Sequence, residues 1–198
     1  MTEHLRRAVP WWTLGVAAAL ITVLLRTLEE WPYTMWPLQG IAVGFLAATA
    51  TWVFDEPAAA VVDSLPRGLG WRTAVRTLPV LLLVAWWLGS VLWTRTAYFG
   101  HAAEVAWQGC AAVVLSVAYV TWQRRHGAAM PARSTAPAIV LVATFFALAR
   151  PWDEALPLFP YTAGGPWEAS TLLWSAAAAS GACLLAVAVT EVRPVRPR

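Results

Sequence analysis

Charged residues are scarce in this chain. Only 13% of its 198 residues are charged and lysine is absent, whereas 59% are hydrophobic. No Asp, Glu, Lys, Arg or His falls near the middle of any of the long apolar runs. Runs this long and uniform exceed what the core of a soluble domain of this size needs. The composition excludes an ordinary soluble domain and predicts a membrane protein.

Motifs of catalysis, nucleotide binding and metal binding are absent as well. The sequence has no Gly-x-Ser-x-Gly, His-Glu-x-x-His or Gly-x-x-x-x-Gly-Lys pattern. His101 and Glu104 are one helical turn apart, but no third metal ligand is near them, which favours an ordinary helix start. Cys110 and Cys183 have no Cys-x-x-Cys partner and are predicted to be packing residues. We therefore expect no enzymatic activity, no cofactor, no metal and no nucleic-acid partner.

Six apolar runs are long enough to cross a hydrocarbon core of about 30 Å, which takes about 20 residues in a helix. They cover roughly 8–26, 36–54, 78–95, 102–122, 136–150 and 170–190. The runs are continuous rather than alternating between apolar and polar, which favours helices over barrel strands. The sequence predicts an all-α fold, a six-transmembrane-helix bundle that forms one domain over 1–198.

Arginine positions predict the orientation of this bundle, since arginines concentrate on the cytoplasmic side of a membrane. Only Arg26, Arg95 and Arg150 fall on one set of helix ends. The opposite set carries Arg6, Arg7, Arg67, Arg72, Arg76, Arg124, Arg125, Arg133, Arg193, Arg196 and Arg198. Both termini are therefore predicted to be cytoplasmic.

The segment "FDEPAAAVVDSLPRGLGWRTAVR", residues 54–76, interrupts the apolar runs. Asp55 or Glu56 can cap a helix, Pro57 suits its first position, and Pro66 ends it. One apolar stripe at helical spacing is formed by Ala58, Val61, Val62 and Leu65. The pattern predicts a cytoplasmic amphipathic helix over 56–66.

An apolar helix ending in "FDEPAAAVVDSLP", then "RGLGWRTAVR" and a further apolar helix, resembles small six-helix actinobacterial membrane proteins similar to permease subunits of ABC-2-type exporters. The resemblance implies a multi-pass protein of the bacterial plasma membrane, coupled to a separate ATP-binding subunit. It also implies a dimer of membrane subunits, identical or different, with two ATPases. The residues implied in contact with the ATPase are Asp55, Glu56, Val61, Val62, Leu65, Arg67 and Arg72.

Two alternatives remain open. The six-helix layout also resembles the substrate-capture subunits of energy-coupling-factor transporters, whose small-residue contact would fall near Ala17. A scaffold subunit of a membrane complex would instead bind a protein through faces rich in small residues, such as Ala177 with Gly181. Among the deepest polar residues, Gln39 and Gln108 are the candidates for a substrate path.

Overall fold

A computed structural model of the chain describes residues 11–55, 69–152 and 155–190. Within these ranges the chain forms six α-helices and no strand. The helices are α1 Trp11–Glu30, α2 Met35–Trp52, α3 Leu69–Trp93, α4 Ala102–Arg125, α5 Ala132–Leu148 and α6 Trp167–Val189. The prediction of an all-α fold is confirmed.

Four of the helices are long and apolar enough to cross a membrane: α1, residues Thr73–Trp93 of α3, α4 and α6. This finding is consistent with the prediction of a membrane protein. The shorter α5 is apolar and has 17 residues, so it spans about 25 Å, slightly less than a hydrocarbon core. The number of spans and the side of the termini stay predictions.

The third helix begins earlier than the sequence predicts. It starts at Leu69 rather than near residue 78, and Pro79 lies inside it. Its first turns carry Arg72 and Arg76, so a search for uninterrupted apolar runs does not detect them. The amphipathic helix predicted over 56–66 lies outside the described residues.

Helices α2 and α4 form the centre of the bundle. Helices α1 and α5 pack against α2. Helices α3 and α6 pack against α4, and α2 contacts α4 directly. The burial pattern agrees, since 12 of the 18 residues of α2 are buried. Helices α1 and α3 also contact each other, whereas in the described part of the chain α5 and α6 make no extended contact.

Glycines allow the closest helix contacts. A Cβ atom added to Gly44 of α2 would lie 2.5 Å from the Cβ of Ala143 on α5, and one added to Gly181 of α6 would lie 2.9 Å from the Cα of Leu115 on α4. Small residues at such positions let helix backbones approach. Of the small residues that the sequence indicates on α6, Gly181 therefore faces α4.

The outward surfaces of the helices are strongly apolar. Leu141 of α5 is 70% exposed and Leu172 of α6 is 72% exposed, and Leu81, Leu92 and Val187 are also well exposed. Continuous apolar surface of this kind is unfavourable in water and favourable in lipid. The exterior of the bundle therefore suits a bilayer.

Two opposite ends of the bundle are named below by their residues. The arginine end is where α2, α4 and α6 finish, and it carries Arg76, Arg124, Arg125 and Arg133. The loop end is where α1, α3 and α5 finish, and it includes the connection 149–166 between α5 and α6.

Candidate functional site

An elongated groove lies between α5 and α6, with α2 and α4 as its floor. We call it the α5–α6 groove; its volume is about 670 Å³, within the range typical of ligand sites. Lining residues such as Tyr119, Leu115 and Val142 are 39% to 56% exposed, so the groove opens sideways, toward the surface that suits a bilayer. The groove exists because α5 packs against α2 whereas α6 packs against α4.

The two ends of the groove differ in polarity. Toward the loop end it is lined by Phe146, Phe159 and Trp174. Toward the arginine end the lining includes Gln123 of α4 and Thr135 of α5, whose side chains are joined by a hydrogen bond of 3.0 Å from the Thr135 hydroxyl to Oε1 of Gln123. An amphipathic molecule matches such a gradient, with its apolar part toward the loop end.

Asp55 caps the start of α5 from the end of α2. The residue before α5 is Pro131, whose ring offers no side-chain acceptor for the first N–H groups of the helix. Oδ1 of Asp55 supplies this acceptor and receives a hydrogen bond of 2.8 Å from the backbone N–H of Ala132. An acidic group at a helix N-terminus is also favoured by the helix dipole.

Two arginines hold the chain that carries this carboxylate. Arg76 of α3 donates to the carbonyl oxygens of Val53 at 2.7 Å and of Asp55 at 2.6 Å, and Arg124 of α4 donates to that of Phe54 at 3.4 Å. These contacts satisfy carbonyl groups that the end of α2 leaves without intrahelical partners. Residues 53–55, Arg76, Arg124 and Ala132 form what we call the arginine junction.

Opposing effects act on the pKa of Asp55 within the junction. Burial raises the pKa of Asp55, and this effect outweighs the Ala132 N–H and the nearby Arg133, Arg124 and Arg76, which lower it. The geometry shows Oδ1 of this group accepting the hydrogen bond from the start of α5.

The residues predicted to couple to an ATPase are only partly described. Asp55 lies in the arginine junction and is turned toward α5, and Arg72 lies in the first turns of α3. The other five, Glu56, Val61, Val62, Leu65 and Arg67, lie outside the described residues. Their contact with an ATPase stays a prediction.

Gln39 and Gln108, predicted to line a substrate path, contact each other inside the bundle. Nε2 of Gln39 donates to Oε1 of Gln108 at 2.6 Å, Gln108 donates to the Ser170 hydroxyl at 3.1 Å, and Ser170 donates to the carbonyl oxygen of Leu158 at 3.1 Å. This carbonyl can only accept, which sets the direction of the whole chain of bonds. Oε1 of Gln39 is buried and has no partner among the described residues.

This buried network joins three helices to the connection at the loop end. Neither Gln39 nor Gln108 is among the residues that line the α5–α6 groove. The connection also places Phe159 in contact distance of Gly40, and Trp174 of α6 donates to the carbonyl oxygen of Leu158 at 2.9 Å. The glutamines thus hold the loop end together, and their part in a substrate path stays a prediction.

His101, considered above as a metal ligand with Glu104, also contacts this connection. Its ring stacks on Trp167 with centroids 4.4 Å apart. Its Nδ1 lies 3.2 Å from Oε1 of Glu104, and its Nε2 lies 3.3 Å from the carbonyl oxygen of Ala163. Both ring nitrogens thus face oxygen atoms of the protein, in an arrangement that fastens the connection to the start of α4.

Ala17, where the resemblance to energy-coupling-factor subunits would place a contact with another chain, is 6% exposed. It lies on the buried side of α1. A residue in this position contributes to packing within the bundle and offers little surface to a partner.

Sequence reasoning did not identify the groove. Its floor and walls come from four helices, and its polar end depends on Gln123 and Thr135 being brought together. The one available signal was that both lie near helix ends on the arginine-rich side.

Compared with known proteins, the chain matches no protein-family model, no curated protein and no solved structure.

Proposed function

We propose that the protein is a multi-pass membrane protein of the bacterial plasma membrane with six spans and cytoplasmic termini. The apolar exterior and the four long apolar helices support this proposal. The separation of arginines supports the orientation, since Arg76, Arg124, Arg125 and Arg133 share one end of the bundle. The arginine end would then face the cytoplasm.

Within this membrane frame we propose that the chain is the membrane-spanning subunit of an exporter driven by a separate ATPase. Its substrate would be an apolar or amphipathic molecule that enters the α5–α6 groove from the side. The observation that carries this proposal is the bond between Asp55 and the Ala132 N–H. Asp55 directly precedes residues 56–68, and α5 is a wall of the groove.

A movement of the predicted cytoplasmic helix over 56–66 would be transmitted through this bond to the start of α5. Arg76 and Arg124 connect residues 53–55 to α3 and α4, and the Asp55 carboxylate connects them to α5, which is the wall of the groove that such a movement would reach. An ATPase bound to the predicted helix could in this way change the width of the groove. Two such chains with two ATPases would form the complete exporter.

The test is to purify the chain together with a candidate ATPase and to measure ATP-driven movement of a fluorescently labelled phosphatidylglycerol in proteoliposomes. Because Asp55 is turned toward α5, we expect Asp55→Ala to keep the ATPase bound and to reduce ATP-driven transport. We expect Val61→Arg to weaken binding of the ATPase itself. Glu56→Ala should weaken this binding to a smaller extent. Glu168→Gln, an exposed acidic residue at the loop end, is the matched control. If binding and transport are unchanged in all variants, the proposed coupling is wrong.

A further inference from the structure

We propose that the α5–α6 groove binds one acyl chain of an anionic phospholipid from the cytoplasmic leaflet, with the phosphate at the arginine end. This inference rests on the membrane orientation in the proposed function and deepens that function, because it names the class of molecule that occupies the groove. It does not depend on an ATPase.

The length and lining of the groove fit an acyl chain. Along α5 the lining extends from Ser134 to Phe146, a rise of about 18 Å along the helix axis. One leaflet contributes about 15 Å of hydrocarbon, half of a core of about 30 Å. The side walls between these ends are apolar, with Ala138 and Val142 on α5 facing Leu115 on α4. A single chain lying parallel to the helices would fill a groove of this shape.

The polar end of the groove fits a negatively charged headgroup. Arg125, at the end of α4, donates from one guanidinium nitrogen to the carbonyl oxygen of Val187 on α6, so it lies at the arginine end of the bundle without lining the groove itself. Arg133, an exposed residue in the first turn of α5, lies at the same end of the bundle, next in sequence to the lining residue Ser134. An arginine carries five N–H donors, which suit phosphate oxygens.

Within the described part of the chain, acidic groups are nearly absent from the arginine end. Of the acidic residues in the described ranges, Asp55 is the one at the arginine end, and its carboxylate is bonded to the Ala132 N–H. The hydroxyl group of Ser134 and the amide of Gln123 line the groove at this end. The Ser134 hydroxyl donates to the carbonyl oxygen of Pro131, so the Gln123 amide nitrogen is the donor in the lining, and the arginines of this end supply the positive charge near it.

Other occupants fit the groove less well. The chain that follows α6, "EVRPVRPR" over residues 191–198, is too polar and too basic for an apolar groove beside two arginines. A second copy of the protein would present an apolar helix face, which would leave the arginine end without a counter-charge. Charge complementarity favours an anionic lipid.

Binding can be measured by native mass spectrometry of the delipidated protein in detergent, titrated with phosphatidylglycerol and, separately, with phosphatidylcholine of identical acyl chains. We expect one saturable site and about a tenfold preference for phosphatidylglycerol, because basic side chains near the surface attract anionic lipids. The double variant Arg125→Gln/Arg133→Gln should remove most of this preference. Arg95→Gln, which removes an exposed arginine at the loop end, should keep it.

The acyl-chain part of the site is tested with Ala138→Trp, which places a large ring in the groove. We expect this variant to lose the saturable binding of both lipids at least tenfold. Ala182→Trp is the control, because Ala182 is an exposed alanine of α6 outside the groove lining. Thermal unfolding of each variant shows whether it is folded.

A photo-crosslinking phosphatidylglycerol with a diazirine in its acyl chain gives a second measurement on the unmodified protein. Crosslinks should map to groove residues such as Tyr119 and Val142, rather than to outward residues such as Leu81 and Leu172. Equal binding of the two lipids, unchanged binding by Ala138→Trp, or crosslinks spread over the outer faces would overturn the proposal. A dimer that Ala138→Trp dissociates, with lipid binding unaffected, would overturn it in favour of a second copy.

The results also separate this inference from the proposed exporter. Absence of ATP-driven transport by the wild-type protein, together with saturable phosphatidylglycerol binding, would contradict the proposed exporter and support the lipid site. Intact coupling without a saturable lipid site would contradict only the lipid assignment.

Discussion

Replacing Asp55 by Asn or by Ala separates its role as a hydrogen-bond acceptor from its charge. In Asp55→Ala the N–H of Ala132 loses the acceptor that now lies 2.8 Å away. Loss of a side chain that caps a helix N-terminus typically costs about 1 kcal/mol, with a range of about 0.5–2 kcal/mol. In Asp55→Asn the amide oxygen can still accept the same N–H, so we expect a change of only about 0.3 kcal/mol.

The pH dependence of the Asn variant provides an independent check. Burial raises the pKa of Asp55 above its ordinary value of 3.8, so the folded state binds this proton more strongly than the unfolded state does. For an acid with a raised pKa the stabilising contribution is complete below the unfolded pKa and is lost as the pH rises through the folded pKa. Asp55→Asn has no such titration, so its stability relative to the wild type should increase as the pH rises from about 3 to 7.

Both expectations can be measured by thermal unfolding in detergent micelles, followed by tryptophan fluorescence. A loss of about 1 kcal/mol corresponds to about 2–4 °C in Tm for a chain of this size. Glu168→Gln at the loop end is the control for removing one carboxylate. The reasoning is refuted if Asn and Ala destabilise equally, or if the wild type gains on the Asn variant as the pH rises.

Three further predictions concern packing, the buried amides and a tyrosine. Gly44→Ala should lower the unfolding free energy by about 1–3 kcal/mol through a steric clash. Gly89→Ala, with nothing within 4 Å of an added Cβ, should raise it by up to about 1 kcal/mol. Equal effects of the two variants in SDS titrations would contradict the close helix contact. Gln108→Leu should destabilise the protein by about 1–3 kcal/mol because it leaves the buried amide of Gln39 unpaired. Gln39→Leu should destabilise it less, because Oε1 of Gln39 already lacks a partner among the described residues. The reverse order would contradict the bond directions given above. Burial raises the pKa of Tyr98 to about 12. The stability of the protein should therefore be lost as the pH rises from about 10 through 12. Tyr98→Phe should abolish that loss when unfolding is measured over a series of alkaline pH values.

The helices were largely predictable because apolar runs are a local property. A residue in a membrane helix needs an apolar side chain whatever its neighbours in the fold are, and each of the six predicted runs overlaps one of α1 to α6. Helix ends were harder to predict. The arginine-bearing first turns of α3, from Leu69, are helical although they are polar.

The candidate site was predicted only in part. Asp55 stood out in the sequence as a capping residue, but the sequence pattern favoured the helix that follows it over 56–66. In the structure its carboxylate caps α5, 77 residues further along the chain, while residues 56–66 lie outside the described ranges. Gln39 and Gln108 stood out as deep polar residues, and the hydrogen bond between them was not predicted, because it joins positions 69 residues apart.

Apolar helices, and an excess of arginines on one set of helix ends, could be read from the amino-acid sequence, since both follow from the order of side chains along single helices. The groove, in contrast, depends on tertiary packing, in which α5 lies against α2 and α6 lies against α4, with the groove between α5 and α6. This packing includes close contacts such as Gly44 against Ala143 and Gly181 against Leu115. Such contacts depend on which helix faces which, and that choice is made by the packing of the whole bundle.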